Sequence, residues 1–275
     1  MSYRALMTVP VLGRTNSALL AVTATLARKV GAAVIGVAAC RPVSALCRDY
    51  AIPASVFDAD RKQIERQTRE GELQFRAALA GHSGDIEWRT HICLEPLASR
   101  LVEEFALADL ILVSLDVPGT PSDTTRQPDL CDLVMLAGRP VLLVPSARPP
   151  AKPERVLVAW KDSREARRAV ADSLPLLAEA AAVTVVSIEE AGAAPDGHNS
   201  VARVQAWLAR HGIVASARIE PPRKANASQL MEIARDLEAD LIVAGACGHV
   251  RHGRWVLGGI TSQLLNGDTC ALISH

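Results

Sequence analysis

The stretch "GACGHVRHGRWVLGG" (residues 245–259) packs five glycines, two histidines, two arginines and a cysteine into fifteen residues. Glycine has no Cβ, so its backbone N–H groups can approach an anion closely. The stretch follows "ADLIVA", which reads as a strand, and runs into "ITSQLL", which reads as a short helix. A helix N-terminus offers unpaired N–H groups and a partial positive charge. A bare loop ending at one is a natural phosphate cradle. Thr261 and Ser262 add hydroxyl donors, and Arg251 and Arg254 add cations that can pair with phosphate. A solvated loop face explains the two arginines equally well.

The same residue types raise other chemistries. Cys247, His249 and His252 form a Cys-x-His-x-x-His run of zinc-ligand types, but three donors make only a partial site. Cys40 and Cys47, which frame a loop after the second strand, are the nearest candidates to complete it; zinc is not expected. Ser163, His249 and Asp162 supply the residue types of a hydrolase, yet no Gly-x-Ser-x-Gly elbow surrounds any serine. Asp162 and Ser163 read first as helix caps. Trp160 and Trp255 flank the expected pocket as packing residues that also offer stacking surfaces. No Gly-x4-Gly-Lys-Ser/Thr loop and no acidic cluster suited to Mg²⁺ is present, so rapid ATP hydrolysis has little support.

The elements that must position this loop are written twice. In the second half, "RVLVAW", "AVTVVSI", "VASARI", "LIVA" and "CALIS" read as strands. Between them, apolar residues recur at helical spacing: Ala166, Ala169, Val170, Leu174 and Leu177, then Val201, Val204, Trp207 and Leu208, then Leu230, Ile233, Ala234 and Leu237. Asp162 with Glu165 resembles a capping box opening the first of these helices. Pro175 is expected to kink it or end it early. In the first half, "RALMTV", "AAVIGVA", "ADLILVS" and "RPVLLVPS" match four of the later strands in order. Arg4 matches Arg155 and Ala108 matches Ala239, a smaller offset, so the first half carries a longer segment after its second strand. That segment is expected to be a loop and a charged amphipathic helix. Strands alternating with helices predict parallel sheets covered on both faces, two tandem Rossmann-like or flavodoxin-like α/β units. The Pro-rich "SARPPAKPE" separates them, giving expected domains at residues 1–148 and 153–275.

Composition narrows the function. Hydrophobic residues make up 49% of the 275, with only 3% aromatic, so the core must be aliphatic. Lys and Arg balance Asp and Glu at 30 each, leaving no global field to draw nucleic acid or an anionic membrane, and neither is an expected partner. The six scattered cysteines form no Cys-x-x-Cys pair and read as reduced thiols. With no secretory signal and no apolar run long enough to span a bilayer, a cytoplasmic location is expected.

The glycine spacing resembles the nucleotide-binding motif of the universal stress protein family: Gly, two residues, Gly, nine residues, Gly, then Ser or Thr. Gly245, Gly248 and Gly258 stand at that spacing, and "VLVAWKDSREARRAV" is similar to the family's opening strand and helix. The duplicated layout looks like the tandem bacterial members. The resemblance implies ATP or another adenine nucleotide, with or without Mg²⁺. Gly245, Gly248, Gly258, Gly259, Ile260 and Thr261 would surround the phosphates, with His249 and Arg251 beside them. Ala159, Trp160, Lys161, Asp162 and Ser163 would lie near adenine and ribose. It also implies units paired through their last strands, an intrachain pseudo-dimer that leaves room for a homodimer. The role implied is a cytoplasmic stress-response module whose ligand controls a protein partner that the sequence does not identify.

Two departures stand out: Gly259 replaces a hydroxyl residue, and Lys161 stands where the family often has Asp. Lysine cannot accept a ribose hydrogen bond but can meet a phosphate. The first half lacks the glycine pattern after "LILVS", and Pro118, Pro121 and Pro128 remove N–H donors there. One competent and one degenerate half are therefore expected. A slow ATPase or phosphotransfer enzyme, and a metal-binding stress protein without nucleotide, are the alternatives.

Overall fold

The computed structural model describes residues 2–43, 53–115, 123–146, 153–188, 196–251 and 254–275. Cys47, Pro118, Pro121, His252 and Gly253 lie outside them. The first half runs β1 (Ala5–Val9), α1 (Ser17–Val30), β2 (Ala33–Cys40), α2 (Ala54–Ala78), β3 (Ile86–Ile92), α3 (Leu97–Val102), β4 (Leu110–Leu115), α4 (Leu130–Leu136) and β5 (Val141–Pro145). The second runs β6 (Arg155–Ala159), α5 (Arg164–Leu177), β7 (Ala182–Ile188), α6 (Asp196–Arg210), β8 (Ala215–Glu220), α7 (Asn226–Asp236), β9 (Leu241–Gly245), β10 (Gly248–Arg251), β11 (Arg254–Leu257), α8 (Gly259–Leu265) and β12 (Ala271–Ser274).

Ten strands form one sheet in the order β3-β2-β1-β4-β5-β12-β9-β6-β7-β8. Within each half every pairing in this sheet is parallel, and the strand order is the same. The halves meet where β5 runs antiparallel to β12, Leu142 opposite Leu272. One detail repeats side chain for side chain. Asp109, before β4, accepts from the N–H of Arg4 and Ala5 at 2.7 and 3.0 Å. Asp240, before β9, accepts from Glu154 and Arg155 at 2.8 and 3.1 Å. The shared "AD" of the sequence thus staples the start of each half's first strand.

The central strands are buried on both faces, which is why they read as unbroken apolar runs. Side chains alternate between two cores: Val156 and Val158 join the one under α1, α5 and α6, and Leu157 joins the one under α3, α4, α7 and α8. Each core draws on both halves, so the hydrophobic interior is continuous across the seam. Ser163 rather than Asp162 caps α5, its Oγ accepting from Ala166 N at 3.2 Å. Pro175 falls in the last turn of α5, where the helix ends two residues later. Among the described residues no helix is long and apolar enough to cross a membrane.

Two buried acids give the fold a pH dependence. The Tyr3 hydroxyl donates across the seam to the Asp172 carbonyl at 2.7 Å. Burial, aided by Asp172 and Asp109, holds its phenol above the usual range. Burial, then Asp240, pushes the Cys270 thiol from 9.0 up to about 12. A group whose pKa rises on folding stabilises fully below its unfolded value and loses that contribution as pH climbs toward the folded one. Stability is therefore expected to fall from about pH 9 upward, by up to about 1.4 kcal/mol per pH unit for each group. Urea unfolding at neutral pH and at about pH 11 checks this, and equal midpoints would contradict it.

Candidate nucleotide-binding cleft

In each half the chain builds three strands in one direction, then returns to the other side of the first. The reversal falls between β6 and β9 in the second half, where Ala159 pairs with Ala244. The loops leaving these two strands must diverge there, opening a crevice at the carboxyl end of the sheet. A cleft of about 540 Å³ occupies it.

Gly245 ends β9 at a point of backbone contact. A Cβ there would lie 2.5 Å from Ala166 N and from the Glu165 carbonyl carbon, in the first turn of α5. Beyond it the sequence reading of a simple loop is corrected. Gly248–Arg251 and Arg254–Leu257 pair antiparallel, β10 with β11, with Gly248 opposite Leu257 and Arg251 opposite Arg254. The hairpin is pinched at its root: Gly258 N donates to Cys247 O at 2.8 Å, and Cys247 N to Thr261 Oγ1 at 3.2 Å. Gly258 then opens α8 in an extended conformation with no side-chain cap. The first-turn N–H groups of α8 are left to whatever enters the cleft.

No protein-family model matches the sequence, and no curated protein does. Solved structures do. A universal stress protein from Archaeoglobus fulgidus DSM 4304 superposes with a TM-score of 0.72 at 12% identity, covering 98% of this chain and 97% of that one. A functionally unknown protein from Pseudomonas aeruginosa PAO1 gives 0.62 at 16% identity, with 99% and 92% covered. A candidate universal stress protein from Pseudomonas aeruginosa UCBPP-PA14 gives 0.59 at 16%, with 99% and 93% covered. The chain has the universal stress protein fold. At these identities the likeness is one of fold.

Within the universal stress protein fold, the residues singled out in the sequence separate into two groups. Ala159, Trp160, Lys161, Ser163, Gly245, Gly258, Gly259, Ile260 and Thr261 all line the cleft. Asp162 and Gly248 do not. The chain alternates as it leaves β6: Lys161 and Ser163 face the cleft, whereas Asp162 turns to the α5–α6 side and pairs with Arg203 at 3.1 Å and Arg167 at 3.6 Å. Trp160, 7% exposed, is chiefly a wall residue, its Nε1 donating to Ser200 Oγ at 3.2 Å. His249 and Arg251 lie on β10. Trp255 packs edge-on to His275 and joins the core rather than the cleft.

The structure adds residues that the sequence reading did not assign to the cleft. Glu165 lines it, and its own backbone N–H, with the Ser163 and Arg164 side chains, holds its carboxyl below the usual range. The acidic group lining the cleft is thus Glu165, which the sequence pattern offered only as a capping residue. Asn226, at the first position of α7, supplies an amide. Val186, Ile188 and Leu230 add apolar lining to the cleft. Lys161 is exposed and makes no ion pair among the described residues. Cys247 is an exposed thiol at the rim, while Cys40 is buried in a separate small core with Leu12, Ala38 and Ile64. The group of three metal-type side chains found among the described residues is Asp129, Cys131 and Asp132, at the start of α4.

At the matching end of the first half, buried side chains tie the described loops together. Asn16 ties the loop after β1, accepting from Val11 N at 2.9 Å and donating to Val11 O and Arg14 O at 3.1 Å each. Arg126, 6% exposed, donates to Gln67 Oε1 and Arg41 O at 2.8 Å each and pairs with Asp60 at 3.3 Å. Asp60 in turn accepts from Val43 N at 2.7 Å. Helix α2, the longer counterpart of α6 at 25 residues against 15, brings Asp60, Ile64 and Gln67 to these loops.

Proposed function

We propose that the second half binds one adenine nucleotide, ATP with Mg²⁺ being the expected form, in the cleft at the β6–β9 reversal. The observation that carries this reading is the pairing, in one cleft, of apolar lining with a helix start that has no side-chain cap and a lysine with no ion pair among the described residues. A purine base fits against Val186, Ile188 and Leu230, where its area leaves water. Glu165 and Asn226 can meet ribose hydroxyls or the base edge. Phosphates fit the first turn of α8 at Gly259, Ile260 and Thr261, with Lys161 as counter-charge. The first half, its loops tied by Arg126 and Asn16, is the degenerate partner. The protein then acts as a stress-response module in the cytoplasm, its ligand setting a surface that another protein reads.

Calorimetric titration of the nucleotide-stripped chain with ATP and Mg²⁺ tests this, beside Gly259→Val. Around Gly259 the nearest atom to an added Cβ is Ala227 Cβ at 3.7 Å, so valine stands at the cleft wall without crowding the fold. Wild type is expected to bind close to one ATP per chain. The variant should unfold at the wild-type temperature yet bind at least about a hundredfold more weakly, as a bulky group displaces the phosphates. Wild-type protein that takes up no nucleotide would sink the reading.

A further inference from the structure

We propose that the first half clamps the glycine hairpin of the second into its binding shape through Met135. Met135, on α4, is 4% exposed. A Cβ added at Gly248 would lie 3.0 Å from its Cε and 3.4 Å from its Sδ. It would lie equally close, 3.4 Å, to Cδ2 of Leu257, the partner of Gly248 in the hairpin. Trp255, Leu257 and Ile260 pack on the same core as Met135, and β11 contacts α4 directly. The bareness of Gly248 therefore serves the approach of the other half of the chain, not the approach of a phosphate.

A two-stranded hairpin is marginal alone and needs a surface to lie on. Here that surface comes from the opposite half, and a flexible thioether suits a contact with bare backbone. The clamp itself is anchored: Arg168, on α5, donates to the carbonyl of Gly138 at 2.6 Å, just past the end of α4. The hairpin leads into Gly258 and the first turn of α8, so what steadies β10 and β11 also aims those N–H groups. Met135 is a positioning residue and touches no ligand. Its effect on affinity rests on the nucleotide reading above; its effect on the hairpin does not.

The experiment uses the full chain with Met135→Ala, Met135→Leu and Phe75→Leu. Phe75 is fully buried against Trp88 near the far edge of the first half, so its variant loosens that half without touching the hairpin. Hydrogen exchange over residues 248–257 is read without ligand, and ATP affinity by calorimetry. Met135→Ala is expected to speed exchange in the hairpin about tenfold. If the competent loop falls to about a tenth of the population, the apparent Kd rises about tenfold. Met135→Leu should restore both, and Phe75→Leu should lower Tm while changing neither. If alanine prevents folding, Met135→Val removes the same terminal methyl and fills more of the core. Wild-type exchange in the alanine variant, or an equal change from Phe75→Leu, overturns the proposal. If wild type binds no ATP, the functional reading fails and the exchange data alone decide this one.

Discussion

Arg126→Met is expected to cost about 3 kcal/mol of stability, because it breaks a buried ion pair and strands its partners. The guanidinium, 6% exposed, faces Asp60, 9% exposed, at 3.3 Å. It also serves Gln67 and the Arg41 carbonyl. Methionine keeps the length of the side chain and removes every donor. Asp60 retains only Val43 N, and a charge with little water and one neutral donor is poorly held. The double variant Arg126→Met with Asp60→Leu should recover most of the loss, since removing both charges also removes their desolvation cost. Urea denaturation of the single and double variants measures both. A single variant as stable as wild type would show that the pair does not hold α2 onto the loops of the first half.

Gly245→Ala should be nearly as damaging for a different reason. Its Cβ would meet Ala166 N and Glu165 C at 2.5 Å, and these are backbone atoms that cannot rotate aside. β9 must move off α5, and overpacking of this kind costs about 3 kcal/mol. For a chain of this size the loss corresponds to a Tm lower by roughly 6–12 °C. The displaced strand end carries the hairpin with it, so nucleotide affinity should fall too. Gly259→Val makes the contrast: the larger side chain sits on the cleft wall and spares stability. Calorimetric melting of the two variants separates a glycine required by packing from one required by a ligand. Wild-type melting of Gly245→Ala would refute the close approach.

Much of this was legible in the sequence. Apart from β3, β10 and β11, the strands of both halves, the charged helix of the first half and the crevice-facing ends of β6 and β9 follow from periodicity and repeat, because strands buried on both faces leave little choice of residue, whereas β3 is an edge strand with half-exposed polar positions. The matching "AD" pairs were visible before Asp109 and Asp240 were seen to staple strand starts. Other features were not legible. The side from which Asp162 or Lys161 is reached depends on the phase in which the chain leaves β6, and adjacent residues swap faces for a small change in backbone angle. The hairpin was masked by the glycines and histidines around "VRHGRWV", which read as loop.

The sequence by itself determined the α/β class, the duplication and the place of the glycine stretch between a strand and a helix, since each rests on local pattern. The tertiary structure decided what each glycine is for. Gly245 and Gly248 look alike in the sequence, yet an added Cβ would meet the backbone of α5 at the first and Met135 of the opposite half at the second. It also decided how the loops of the first half are tied together, through an arginine and an aspartate 66 residues apart. Such contacts join segments distant in the chain, and only packing can bring them together.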